Sequence, residues 1–596
     1  MKIFQMTIVV FLKLLPFGLL QDTSPQMNIL QEAVRDDGNV KKEFDFIVIG
    51  SGPSGAVLAN RLTEVPEWTV LLIEAGDETN IVADPPFVAG ALQFTDYNWG
   101  YKAEQEDGFC RGCFEKRMLY PHGKALGGTS IINYMIQVRG NPLDYDRWAA
   151  MGNPGWSYKE VLPYFIKSED AHIEKADAGY HGKGGYLSVS DVPARTESSH
   201  AYVRAAQEAG YPYVDYNGKS QIGVSYVQGT LRNGRRDSAE TAFLRPVRGR
   251  KNLTILTKSR VVQILIRPET KEAYGIKYVR NKRYHEAIAS KEVIVCAGGI
   301  PVLRDLPVGQ KMYDHATFPA LMFQLNESIV IDEEKSLTDL NTYIQFLSGR
   351  GIFTSLGGVE SLTYIKTNAS DDPDPSYPDI ELIYVGGSLN TDRGLIFRRI
   401  FNVPQETYDK IWKPFEDKYL YQIFPMLVHP RSYGYIRLKS KDPFHWPKFY
   451  ANFYSDPENH DVKTFIAAIR EVRRINSSPS LQRYGATMVQ TLIPGCEDHV
   501  FDSDEYWECA IRTLTGTFYH QVSTCKMGPE EDPEAVVDAK LRVHGVKNLR
   551  VVDTSVIPLP PTAHTAGPSY MIGEKASDLI KQQWAPTPFN LIPKTE

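Results

Sequence analysis

FDFIVIGSGPSGAVLANRLTEVPEWTVLLIEAG, residues 44–76, sets an apolar strand, a glycine turn, a helix, a second strand and a terminal acid in the order of a dinucleotide-binding βαβ unit. Phe46 to Ile49 are apolar and too few for a helix, so they read as a buried parallel strand. Gly50, Gly52 and Gly55 supply the tight turn, the close approach to a pyrophosphate and the contact of strand with helix. Ala56 to Leu62 continue as a helix whose free N-terminal amides face an anion. Thr69 to Ile73 form the next strand. Glu74 closes it, about 20 residues beyond the turn, where a carboxylate accepts ribose hydroxyls. An acid at that place disfavours a 2′-phosphate, which leaves FAD or NAD as the dinucleotide.

The rest of the chain bounds the answer. Its 596 residues, 42% of them hydrophobic, are enough for more than one buried core. A net charge of -6 offers no basic field, so a nucleic-acid partner is excluded. Met1 to Leu20 carry Lys2, an apolar run ending FLKLLPFGLL and then polar QDTSPQ, the pattern of a signal peptide, so the chain is expected to be secreted and extracellular. Lys13 interrupts that run, and no later stretch reaches the roughly 20 apolar residues of a spanning helix, so no stable membrane span is expected. Sequons at Asn252, Asn326, Asn368 and Asn476 fit a glycosylated export product. Cys110-Arg-Gly-Cys113 reads as a redox pair, half a zinc site or a disulfide. The disulfide is favoured, because no second CxxC or histidine pair stands nearby to complete a metal site, and no metal is expected. Six cysteines are too few for a disulfide framework, and Cys296 reads as inert packing within a strand.

Further strands are expected at Leu253 to Leu256, Glu292 to Ala297 and Leu549 to Val552, and helices at Ser199 to Ala209, Asp461 to Ile475 and Met571 to Lys581. The dinucleotide domain is therefore discontinuous. The expected division is a signal peptide over 1–20, an arm over 21–43, a cofactor-binding region over 44–316, a substrate-binding cap over 317–532 and a return to the first domain over 533–585. The fold class is α/β, a Rossmann-like domain with an antiparallel-sheet cap.

Residues 120–140, YPHGKALGGTSIINYMIQVRG, form a second glycine-rich turn leading toward a helix. Gly127, Gly128, Thr129 and Ser130 offer small side chains and free amides, and Asn133 lies one turn on. Joined to the first motif, this element resembles the glucose-methanol-choline (GMC) oxidoreductases, FAD enzymes that oxidise alcohols. RGNPLDYDRW at 139–148, NGRRDSAETAFLRP at 233–246, HPRSYGYIRLKSKDP at 429–443, GTFYHQVSTCKMG at 516–528 and VVDTSVIPLPPTAHTAGPSYMIGEKASDLI at 551–580 extend the resemblance over nearly all of 44–585. The pattern is most similar to the secreted insect branch, which includes glucose dehydrogenases and leaf-beetle salicyl alcohol oxidases.

The resemblance implies FAD, a small-molecule alcohol oxidised to an aldehyde, and oxygen or another electron acceptor. It places His520 and His564 at the two catalytic positions. An imidazole, with an ordinary pKa of about 6.5, suits removal of the hydroxyl proton while hydride leaves the same carbon. His520 would take the proton and His564 orient the oxygen, although the roles are interchangeable on sequence alone. Asp553 resembles a residue that holds the flavin, and could equally cap a helix. Val261 resembles an adenine-side backbone contact, and His122 stands where relatives commonly carry Arg.

One departure is large. After the strand ending at Ala297, Gly298-Gly299 run almost directly into Ile300-Pro301, roughly 25 residues short of the family pattern and more than the dozen or so that a parallel crossover needs. The expectation is either a rearranged sheet or an incomplete cofactor site, as in a splice or allelic variant of weak activity. An inactive secreted relative acting as a binding protein, and a nicotinamide-dependent dehydrogenase sharing only the first motif, are the alternative readings.

Overall fold

The structure, a computed structural model, describes residues 42–297 and 306–585. The expected signal peptide, nearly all of the arm and the break after Gly299 lie outside the described residues. The opening stretch folds as read. Strand Glu43–Ile49, helix Pro53–Leu62 and strand Val70–Ile73 follow one another, and the strands pair in parallel with Phe46 opposite Val70. Pro53 occupies the first turn of the helix, where its missing N–H costs nothing. A Cβ on Gly55 would stand 2.0 Å from the Gly50 carbonyl oxygen, so only glycine lets helix and strand approach this closely.

These strands belong to a seven-stranded sheet that also takes in Leu253–Leu256, Arg283–Val295 and Leu549–Val551 in parallel. The return at the C-terminus is thus a sheet strand, followed by helix Ala566–Trp584. That helix lies on Pro53–Leu62, where Arg61 donates to both carboxylate oxygens of the buried Glu574 at 2.8–3.1 Å. The expected strand Glu292 to Ala297 is the end of a longer one. Its first half, RYHEAIAS, pairs antiparallel with Glu272–Arg280 as a partly exposed ribbon, which hid it from a search for apolar runs.

Arg283–Val295 keeps a parallel neighbour on each side, Glu43–Ile49 and Leu549–Val551. A rearranged sheet is therefore not what the described residues form. Cys296 lies just past the strand, buried and on a cavity wall, rather than within the strand as expected.

The cap is an eight-stranded sheet with Tyr419–Leu427, Ile380–Val385 and Val359–Ile365 at its centre, paired antiparallel. Its edge strand Gly223–Tyr226 comes from the region assigned to cofactor binding, so the boundary at 317 is crossed. Helix His460–Asn476 buries Phe465, Ile469 and Val472 at the expected place. Two disulfides form: Cys110–Cys113, as favoured, and Cys496–Cys509, which the cysteine count had not suggested. Among the described residues no helix is long and apolar enough to cross a membrane.

Two of the four sequons are unsuited to a glycan. Asn252 Nδ2 donates to the carbonyls of Thr63, Val65 and Trp68, and the buried Asn476 donates to Ala486. Asn326 and Asn368 are exposed.

Candidate active site

A cavity of about 860 Å³ joins the glycine turn of the first sheet to the cap, a size at the upper end for small-molecule sites. Gly50, Gly52, Glu74, Gly128, Thr129, Ser130, Asn133, Val261 and Asp553 line it together with His520 and His564. Of the residues assigned in the sequence to catalysis or cofactor binding, only Gly55 and Gly127 do not. Gly55 serves helix packing, and Gly127, at φ +102°, turns the chain into the second glycine loop. That loop enters a short 3-10 turn, Gly128–Ile131, rather than the α-helix expected.

The cradle suits a dinucleotide. A Cβ on Gly52 would meet nothing within 4 Å, whereas one on Gly128 would lie 2.6 Å from the Gly52 Cα, so the two glycine loops abut at the cavity wall. No side chain caps the amides of helix Pro53–Leu62, and its first turn carries no acid, which leaves an anion-binding terminus free. Glu74 behaves differently from the simple expectation. Its Oε2 accepts from the Ser51 amide at 3.0 Å and hydroxyl at 2.8 Å, and Oε1 from the Gly76 amide at 2.8 Å. It braces the turn: the two Ser51 donors fill Oε2, and Oε1 keeps a lone pair for a ribose hydroxyl.

Thr129 and Ser130 also brace. The Thr129 hydroxyl accepts from the Gly123 amide, and the Ser130 hydroxyl donates to the Gly127 carbonyl at 2.6 Å. Asn133 is held by Arg236, which donates to its carbonyl at 2.7 Å and its Oδ1 at 2.9 Å. Asp553 caps a 3-10 turn, accepting from the Ser555 amide, and burial raises its pKa. The capping use is the one observed, and the same residue lines the cavity. His122, also on the wall, packs edge-on against Tyr101.

The histidines meet as the resemblance implied. The rings of His520 and His564 are 4.8 Å apart at an interplanar angle of 80°, both nearly buried. His564 Nε2 lies 3.1 Å from Glu381 Oε1. His520 Nδ1 lies 3.0 Å from Nδ1 of the fully buried His315. Burial, together with the fields of His564 and His315, drives the His520 pKa well below 6.5, so the ring is neutral and able to accept a proton near neutrality. Burial likewise lowers His315, to about 3. Asp314 accepts from the His520 and His315 amides at 2.8 Å, from Thr517 Oγ1 at 2.6 Å and from Gln521 Nε2 at 2.7 Å, fixing the backbone that carries His520.

Asp314, His315 and Glu381 escaped the sequence reading. Glu381 left one signal: it is the charged residue within the otherwise apolar buried strand IELIYV. His315 left none, because only the fold brings it to His520.

Glycine cradle, buried neutral imidazole and connecting cavity together define a flavin-dependent oxidoreductase. Residues 44–303 and 430–573 match the N- and C-terminal parts of the GMC oxidoreductase family. The chain is 38% identical over 570 residues to glucose dehydrogenase [FAD, quinone] of Drosophila melanogaster, covering 91% of this chain and 87% of that protein. It is 32% identical to human mitochondrial choline dehydrogenase, over 91% and 90% of the two chains. Pyridoxine 4-oxidase from Mesorbium loti shares the fold at a TM-score of 0.73 and 25% identity, over 91% of this chain and 99% of that one. The chain belongs to the GMC oxidoreductase family, and its cofactor is FAD.

Proposed function

We propose that this protein oxidises a primary alcohol to an aldehyde, with His520 removing the hydroxyl proton. The observation that carries this reading is the neutral, buried His520 paired with His564 on the wall of the cavity that the glycine cradle also lines. Bound FAD supplies the hydride acceptor. His520 Nε2 takes the proton, since Nδ1 is engaged by His315. His564, its Nε2 held at Glu381, presents its ring beside His520 to orient the alcohol oxygen. Phe397, Phe401, Phe424 and Phe518 on the wall exclude water and favour a substrate with an aromatic or apolar body. A panel of alcohols, with hydrogen peroxide measured against dye reduction, tests both the substrate and the acceptor. An acceptor other than oxygen is the reading supported by likeness to a quinone-dependent dehydrogenase.

A second reading is a cofactor site weakened by the short connection after Gly299, which the departure from the family pattern there supports. A Cβ on Gly50 would lie 2.8 Å from Ala297 Cβ, so the last described residue before the break packs directly beside the cofactor turn, where only glycine fits. Lengthening the connection to the family's span should then raise flavin content and turnover. Export is supported by Met1 to Leu20, the exposed Asn326 and Asn368, and two disulfides suited to an oxidising compartment.

A further inference from the structure

Glu333 opens a short helix of the cap, Glu333–Thr338, is 6% exposed and lines the same cavity as the two histidines. Its Oε2 is buried with no hydrogen-bond partner among the described residues. A buried carboxyl oxygen left unpaired costs the desolvation of that atom unless something else completes it.

Two hydroxyls on the cap side of the cavity are engaged within the protein. Ser388 Oγ donates to Gln422 Oε1 at 3.0 Å, and Thr391 Oγ1 accepts from the Ser388 amide at 2.7 Å. Asp392, the acid nearest in effect to Glu333, accepts from the Gly394 and Phe397 amides at 2.9 Å. Glu333 Oε2 is thus a hydrogen-bonding position that no described residue fills, on a cavity wall that also carries Ile331, Val359, Val385, Leu389 and Tyr134.

We propose that Glu333 is a specificity determinant that binds a second hydroxyl group of the substrate, so that the preferred alcohol is a diol whose body is otherwise apolar. The inference rests on the alcohol-oxidising reading above and deepens it. A hydroxyl is the fitting group because it can both donate to and accept from the unpaired carboxyl oxygen, and burial with the field of Asp392 pushes the Glu333 pKa up, toward the neutral carboxyl. A neutral carboxyl offers little to a cationic group. A site built to hydrogen-bond a hydroxyl rejects the analogue lacking it, because its own polar atoms stay unpaired.

The test compares a primary mono-alcohol, the diol of equal length and the matching amino alcohol, binding to the FAD-containing protein by calorimetry and, separately, as kcat and KM. The diol should bind about tenfold tighter than the mono-alcohol. E333Q, which keeps a neutral donor and acceptor, should retain that ratio. E333L should bring it close to one and raise Tm, since an unsatisfied buried carboxyl is replaced by an apolar side chain. An unchanged diol preference in E333L overturns the proposal. So does tighter binding of the amino alcohol than the diol with loss in E333Q, which would make Glu333 a cation site. Diol-selective binding without turnover of any alcohol would leave Glu333 as assigned and refute the oxidation reading instead.

Discussion

His520 Nδ1 and His315 Nδ1 face each other at 3.0 Å, so one ring donates and the other accepts. The role of His520 as base requires His315 Nδ1 to accept, with the His315 proton on Nε2, an atom buried without a hydrogen-bond partner among the described residues. His520 then carries its proton on Nδ1 and keeps Nε2 free as the base. Replacing His315 by leucine removes this control of tautomer. Turnover should fall about tenfold or more, and His315→Asn, which can still accept, should recover part of it. Equal FAD content in both variants with unchanged kcat would count against this role.

The low pKa of His520 makes a second prediction. Its deprotonated form is the active one and burial lowers its pKa, so the acid limb of kcat/KM should lie below pH 6.5. A limb at or above that value would mean that another group is the base.

Arg236 donates from one guanidinium to the carbonyls of Ala83, Ser130 and Asn133 and to the Asn133 side chain. A lysine has a single nitrogen and cannot reach all four. Arg236→Lys should weaken FAD retention, read as the flavin absorbance of purified protein, and lower Tm by several degrees.

His181 sits between Glu169, 3.1 Å from Nδ1, and Asp215, 2.8 Å from Nε2. Burial alone would lower its pKa, but the hydrogen bonds its ring donates to the two carboxylates raise it to about 9. A raised folded-state pKa stabilises fully below the unfolded value near 6.5, and that stability is lost as pH rises through about 9. Tm should therefore decline between those pH values, and the decline should flatten in His181→Gln.

How much the sequence disclosed depended on distance along the chain. The βαβ unit was readable almost to the residue, since its strand, turn and helix signals are local and Gly50 and Gly55 each answer a steric demand within it. His520 and His564 were reached through the family resemblance and not through any pattern of their own. The strand Gly223–Tyr226 was missed as a cap element because its partner, Val359–Ile365, lies far along the chain and pairing across that distance leaves no periodic trace. Glu74 was placed correctly, but its bonds to Ser51 and Gly76 depend on side-chain geometry that spacing does not carry.

The central claim is that a bound flavin is reduced by an alcohol whose proton His520 removes. Anaerobic mixing of the yellow protein with a primary alcohol tests it most directly. The wild type should bleach, and His520→Ala should hold as much FAD yet bleach about 10²- to 10⁴-fold more slowly. A colourless wild-type protein, or a His520→Ala variant that bleaches at the wild-type rate, would contradict it.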